Sequence, residues 1–566
     1  MIFDQLTVVL YLFAAIVSVS AQKLVQKAAA VQEREYIHPK NHLQLQSPKN
    51  AISEEELHSE YWFEQAQQAL TSKLQQKLVT TKAKNVIFFI GDGMSPQTIA
   101  ASRMILGNEN EYLSFEKFPH LGQVRTYCVN RRVSDSACTG TAYLSGVKIN
   151  YGMLNLAASV ARYSCEYEKS NETEIDGLMK WAQDAGKATG IVTTTRITDA
   201  SPAATYARSA TRGWEGDGEV AEDGCDPKKT IDIAQQLVYN EVSKNFNVIL
   251  GGGRRFFLPR EARDEEGSRG YRMDGRYLIG EWMGVHREMG ESVYVWNKTQ
   301  LLEVDFEKTD YLLGLFEASH LMYNLEVQMQ EASAAEPTLS ELTESAIKML
   351  QKHENGFVLF VEGGLIDLAH HSNRPRMSLD ETVEFSKAIE LARRLTSADD
   401  TLIVVSSDHS HTMTYNGYTK RGQDILGIAD ISDMDGLPYT TLSYANGQGY
   451  YETYNPDNLA ERLNIFEQDF TVHNKRYPAT APLSSETHGG EDVNVYASGP
   501  LSHIFAGSYE QNTIPHLIAY AVGIEASTTE NDDEDDEDDG GAQSAVVSAG
   551  LLLLSVVFAG LSNRFQ

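Results

Sequence analysis

The sequence predicts an α/β protein, a three-layer sandwich with helices on both faces of a central, mostly parallel sheet. Three observations carry that prediction. Five short apolar runs recur along the chain, each stopped by glycine or a polar residue. The runs are continuous, without the alternation of a half-solvated strand, so they read as strands buried on both faces. Helical patterns lie between them and supply the crossovers that parallel strands need. At 566 residues, 42% of them hydrophobic, the chain is long enough to bury such a sheet.

In chain order, residues 6–17 are an apolar run ahead of Val19, Ser20 and Ala21, a small-residue cleavage site. Residues 1–21 therefore read as a signal peptide, although Asp4 stands where a basic residue is usual. Residues 22–52 form a polar leader, and residues 53–525 form the folded domain. Ser53 with Glu56 is a capping-box pattern opening a helix over 54–78. The first strand, 86–90, runs into Gly91, Asp92 and Gly93. The second, 191–195, runs into Arg196. The third, 248–250, meets Gly251, Gly252 and Gly253, a tight turn, because the lysine and hydroxyl of a phosphate loop are missing. The fourth, 357–361, runs into Glu362, Gly363 and Gly364, and the fifth, 402–405, into Ser406, Ser407, Asp408 and His409. Residues 176–185 and 339–352 are crossover helices. The stretch at about 412–485, rich in Tyr, Asn and Gly, reads as an insertion on the sheet.

Residues 526–541 are an acidic linker, and residues 542–566 hold an apolar run that almost reaches the terminus, preceded by Gly540 and Gly541. That tail reads as a lipid-anchor signal, with a single membrane span as the alternative. Either reading puts the protein at the cell membrane, facing outward. Four cysteines suit an oxidising compartment and allow three full pairings. Asn171 and Asn297 begin glycosylation sequons. The formal net charge is −31, of which nine charges sit in residues 530–539. The rest of the chain is still acidic and has no basic stripe, which excludes a nucleic-acid partner.

Ligands of such sheets collect beyond the carboxyl ends of the strands. Asp92, Glu362, Asp408 and His409 all fall at that end. Asp367 and His371 stand four apart, so one helical turn aims both at one ion. Asp408 with His409, and Glu486 with His488, repeat the pairing of carboxylate and imidazole, a donor set that suits zinc. Ser136 opens a helical stretch between Asp135 and Thr139. There it is either a capping residue or a nucleophile facing a bound anion.

These strings resemble alkaline phosphatase: Asp92 in Gly-Asp-Gly-Met, Asp135-Ser136-Ala137, the run from Glu362 to His371, Asp408-His409 and Glu486-Thr487-His488. The match is in order over roughly residues 85–510 and is nearest the animal, membrane-anchored branch. The resemblance implies an alkaline-phosphatase-like fold with a crown-like insertion. It also implies metal-dependent hydrolysis of small phosphate monoesters through a phosphoserine, at alkaline pH. One zinc would be held by Asp367, His371 and His488, and a second by Asp92, Asp408, His409 and the Ser136 oxygen. Magnesium would be held by Asp92, Ser201 and Glu362, and Arg212 would clamp the phosphate. Asp199 would hydrogen-bond the magnesium's waters. A calcium site of animal members maps to the Phe316 carbonyl, Glu317, Glu336 and Asp223. The resemblance pairs Cys165 with Cys225 and implies a homodimer. It leaves Cys128 and Cys138 either paired together or with Cys138 as a buried thiol. Leu368 departs from the family, which has a basic or imidazole side chain there. Sulfatases need a modifiable residue followed by proline and arginine, which Ser136-Ala137-Cys138 lacks. Diesterases of the same superfamily place threonine at the nucleophile.

Overall fold

A computed structural model describes residues 52–330, 336–455 and 458–526. The signal peptide, almost all of the leader, and the acidic linker and anchor signal with Gly540 and Gly541 lie outside the described residues. Among those residues no helix is long and apolar enough to cross a membrane.

The centre is a ten-stranded sheet: β1 (Asn85–Gly91), β2 (His120–Arg125), β3 (Ala188–Arg196), β4 (Val248–Gly252), β5 (Ser292–Val295), β6 (Tyr311–Leu315), β7 (Phe357–Gly363), β8 (Thr401–Ser406), β9 (Val493–Ser498) and β10 (Gly507–Glu510). Their order across the sheet is β10-β2-β9-β8-β1-β7-β3-β4-β6-β5. Only β9 runs against its neighbours, β2 and β8. The five apolar runs expected from the sequence are β1, β3, β4, β7 and β8, which occupy five adjacent places in the middle. The five strands without such a signal lie outside them. β2 and β5 there show half-exposed patterns, because an outer strand faces solvent on part of its surface.

Residues alternate across the sheet, and both sets are buried. Val86, Phe88 and Ile90 join one core with Val358 and Phe360, and Ile87 and Phe89 join the other with Leu359 and Val361. The first core is closed by helices Leu178–Asp184, Ile233–Tyr239, Leu278–Arg287 and Ile514–Val522, and the second by Leu339–Leu350 and Pro375–Leu395. The result is the three-layer sandwich. Helix Leu339–Leu350 starts where its sequence dictates: Thr338 accepts from the Glu341 amide at 3.3 Å and Glu341 accepts from the Thr338 amide at 2.9 Å.

At the other expected capping box, the Glu56 carboxylate accepts from the Ser53 amide at 2.9 Å, and Ser53 Oγ accepts weakly from the Glu56 amide at 3.4 Å. The box opens a single 3-10 turn, Glu55–Leu57, and the long helix starts separately at Ser59–Gln75, with none of its residues buried. The insertion carries a three-stranded sheet (Met413–Tyr415, Leu442–Gly447, Ala479–Pro482) and two-stranded pairs. Two disulfides form, Cys165–Cys225 and Cys128–Cys138.

Candidate active site

Sheet register builds the site. Ile90 pairs with Glu362 on one side and with Ser406 on the other, and Thr193 pairs with Glu362. The loops after β1, β7 and β8 therefore open at one edge and carry Asp92, the Glu362–His371 run and Asp408–His409. Gly93, at φ 66°, turns the chain after β1, and its amide donates to Asp408 at 3.0 Å. A side chain at Gly93 would collide with the His411 ring.

Helix Ser136–Ser145 begins at the same edge. Asp135 caps it, accepting from the Cys138 amide at 3.4 Å, and Ser136 is the first helical residue, 3% exposed. Its Oγ lies 3.2 Å from His409 Nε2. The same nitrogen is 3.1 Å from Asp408 Oδ2 and 3.4 Å from Asp92 Oδ1. Asp92, Asp408, His409 and Ser136 thus converge, as the resemblance requires.

The second group is Asp367, His371 and His488. Asp367 and His371 share helix Leu365–His371. His488 is brought in by a two-residue antiparallel pairing with His411. His371 donates through Nδ1 to the Glu486 carbonyl at 2.5 Å, and His488 through Nδ1 to the Ser134 carbonyl at 2.8 Å. Both Nε2 atoms are then bare acceptors, yet they face each other at 3.0 Å, each 3.4 Å from an Asp367 oxygen. Lone pairs and a carboxylate crowded in this way make a group that could hold a cation.

The carboxylates carry the same signature. Burial, then Asp408 and Asp367, push Asp92 well above the usual carboxylate range, and its Oδ1 is buried without a hydrogen bond. Glu362 is pushed up to about 7 by burial, although Thr193 and Thr195 donate to it. Ser201 Oγ is likewise buried without a partner. These orphaned oxygens fit a hard cation of the magnesium type.

Arg212 lies at the rim with Nη2 2.8 Å from Asp199 Oδ1 and Nη1 3.3 Å from Asp135 Oδ2. Burial opposes its charge, but Asp199 and then Asp135 hold its pKa above the ordinary value. Asp199 itself is held low against burial by Arg196 and Arg212. Its carboxylate accepts from both guanidiniums, so Asp199 orients the rim arginine, a role the sequence did not reveal. Arg196 in turn grips Glu215 through Nε (2.7 Å) and Nη2 (2.8 Å). Leu368 packs half-buried against the core of the Leu339–Leu350 side.

Sequence reasoning assigned no role to His411 and paired Glu486 with His488, whereas the Glu486 carboxylate meets His411. His411 sits between Asp367 (2.6 Å) and Glu486 (2.5 Å). Burial lowers its pKa, but Glu486 and Asp367 outweigh that and raise it to about 10. Two-residue spacing from His409 was the available signal.

Farther along the same edge, Glu317 and Glu336 meet beyond β6, next to Phe316. Burial, with Glu317 and Glu266 nearby, raises Glu336 to about 8. Asp223 does not share in that cluster's interactions: it lies beyond helix Asp217–Glu222 and accepts from the Trp214 indole at 2.9 Å. The acidic neighbour supplied by the fold is Glu266. Asn171 sits in an exposed turn, and Asn297 caps helix Lys298–Leu302 through its oxygen.

The alkaline phosphatase family profile matches residues 83–524. The membrane-bound alkaline phosphatase of Bombyx mori is 43% identical over 508 residues, covering 87% of this chain and 90% of that protein. The tissue-nonspecific isozyme of Homo sapiens is 42% identical over 493 residues, covering 84% and 91%. Among solved structures, the Thermus thermophilus alkaline phosphatase aligns with a TM-score of 0.55 at 22% identity, over 80% of this chain and 93% of that one, which shows the shared fold. Strand order, the convergence on Ser136 and a match across most of the sequence agree: the chain belongs to the alkaline phosphatase family.

Proposed function

We propose that this protein hydrolyses phosphate monoesters to an alcohol and inorganic phosphate, with Ser136 as nucleophile and a phosphoserine as intermediate. The observation that carries this reading is the meeting of Ser136 Oγ, His409, Asp408 and Asp92 at one buried point. Asp367, His371 and His488 would hold one zinc, and Asp92, Asp408, His409 and Ser136 a second; Asp92, Ser201 and Glu362 would hold magnesium. Bound there, the divalent ions supply positive charge that lowers the pKa of the serine hydroxyl and stabilises the leaving alkoxide.

The chain's own groups do the rest. Asp135 fixes the first turn of the helix, so Ser136 Oγ approaches phosphorus from a set direction. The Arg212 guanidinium binds two phosphate oxygens, in the bidentate manner its fork allows. Attack by Ser136 Oγ forms the serine–phosphorus bond as the ester oxygen departs with the electron pair. Water then attacks from the vacated side and restores the hydroxyl. The acidic surface and buried cation ligands favour a compact dianion over a polyanion. The donor chemistry supports an alkaline optimum, because ligating groups must be deprotonated.

Phe316, Glu317 and Glu336 would hold a calcium ion in an oxygen-only site. The amino-terminal apolar run, the carboxyl-terminal tail and the membrane-bound relative support a lipid-anchored, glycosylated protein on the outer cell surface. The homodimer implied by the resemblance is tested by sedimentation of the released ectodomain. The nucleophile is tested by incubating Ser136→Ala with labelled phosphate: no phosphoenzyme is expected, and persistent label sinks the assignment. Assay of p-nitrophenyl phosphate against its diester and sulfate analogues tests the reaction class, with the monoester expected to be fastest.

A further inference from the structure

The Cys128–Cys138 disulfide spans ten positions and closes a small covalent ring. Three consecutive members of that ring each serve the site differently. The Ser134 carbonyl holds His488 Nδ1 at 2.8 Å. Asp135 accepts from the Gly152 amide at 2.9 Å and faces Arg212 at 3.3 Å. Ser136 presents its oxygen to His409. One short loop thus sets a zinc-type imidazole, the phosphate-clamping guanidinium and the attacking hydroxyl.

The loop's first half is an exposed arm tied by few bonds, the Val129 amide donating to the Ile149 carbonyl at 3.0 Å and the Tyr151 amide to Asn130 at 2.9 Å, while Ser134, Asp135 and Ser136 are buried. Val129 is 54% exposed and Val133 40%, and Arg131 and Arg132 are exposed. The two sulfurs are buried, in an apolar cluster with Ile149, Met153 and Trp214. Trp214 lies two residues after Arg212, so the cluster also backs the segment carrying the clamp. The disulfide joins the exposed arm to the buried start of the helix, a covalent tie added to those hydrogen bonds.

We propose that the Cys128–Cys138 disulfide is a positioning element for the reaction, holding Ser134, Asp135 and Ser136 in mutual register. The proposal rests on Ser136 as the nucleophile. A displacement of about 1 Å at a reacting group costs about a hundredfold in rate, which sets the scale of the test. In the metal-loaded full chain, Cys128→Ser combined with Cys138→Ser is compared with Cys165→Ser combined with Cys225→Ser, which opens the other bridge. The first pair is expected to lower kcat on p-nitrophenyl phosphate by about ten- to a hundredfold. It is also expected to weaken inhibition by inorganic phosphate and to lose zinc faster on dialysis. The second pair is expected to lower Tm and, because Cys225 shares the buried cluster with Trp214, to lower kcat by no more than about twofold.

Equal behaviour of the two pairs, or wild-type kcat and phosphate inhibition in the first, overturns the proposal. An apolar version, Cys128→Val with Cys138→Ala, preserves the buried cluster if the serine pair does not fold. Failure of both versions to fold assigns the bridge to folding alone and likewise overturns it. Labelled phosphate on Ser136→Ala separates the two ideas, since label persisting there removes the nucleophile whatever the disulfide variants show.

Discussion

The carboxylates around Ser136 and those beyond β6, farther along the same edge of the sheet, are both crowded and both buried, but they differ in their neighbours. Around Ser136, burial works against Asp367, while His371 and His411 pull it well below the usual carboxylate range. Beyond β6, Glu336 faces Glu317 and Glu266 and is pushed up to about 8, with burial the larger cause. The first cluster mixes imidazole nitrogen with carboxylate oxygen; the second offers oxygen alone. Acidity alone therefore does not define a metal centre in this protein. On the proposed reading the partner donor does, separating a donor set that suits zinc from one that suits calcium within one chain.

The contrast breaks most visibly at His409. His409→Ala removes the imidazole that touches Ser136, Asp408 and Asp92; hydrolysis of p-nitrophenyl phosphate is expected to fall by about a thousandfold or more. Mass spectrometry of the folded protein should show the loss of one zinc equivalent, and unchanged zinc would separate the ring from the metal. Chelators sharpen the same contrast. Phenanthroline, a nitrogen chelator, should abolish activity, whereas a calcium-selective chelator should leave most activity and lower Tm by a few degrees, on the order of that given by losing a ligand held at 100 times its Kd. Loss of activity with both would merge the two clusters into one functional unit.

Asp199→Asn tests the rim of the edge cluster. With one of its two carboxylates neutralised, the Arg212 guanidinium is freer for phosphate, and inhibition by inorganic phosphate is expected to tighten by about 1.5- to fivefold, the range of a partly exposed charge pair. Weaker inhibition would mean that aim outweighs charge. The smallest effect concerns Glu336. Its folded pKa of about 8 lies above the ordinary 4.5, so its stabilising contribution is complete below pH 4.5 and is lost as pH rises through about 8. Glu336→Gln should raise Tm at pH 9 without calcium and erase the calcium dependence of Tm. A variant that still gains stability from calcium would place the ion elsewhere.

The sequence made the middle of the sheet legible because β1, β3, β4, β7 and β8 are covered on both faces and show it as unbroken apolar runs. β2 and β5 are half-exposed and carry no such mark. At the site, Asp92, Asp367, His371, Asp408, His409 and His488 were readable because each lies in a short polar string beside a strand end or a glycine. The grip of Asp199 on Arg212 was not, since it depends on Arg196 and a loop that only folding brings near. Asp223, which the resemblance maps to the calcium site, instead accepts from the Trp214 indole, and the pairing of Cys128 with Cys138 needed the buried cluster around Ile149 and Met153. Residues that act through a strand end can be read from sequence; residues that act through a neighbour's neighbour cannot.

The pairing of His488 with His411 has a consequence for how the chain matures. About four hundred residues separate Asp92 from His488 in the sequence. At ordinary elongation rates, roughly twenty to eighty seconds pass between their syntheses. Until that late contact closes, the imidazole pair facing Asp367 is missing one member, so on the proposed reading capture of a metal there would report that nearly the whole domain has been made. A nascent or truncated chain would carry the same acidic residues without the last imidazole, and so would lack the complete donor set.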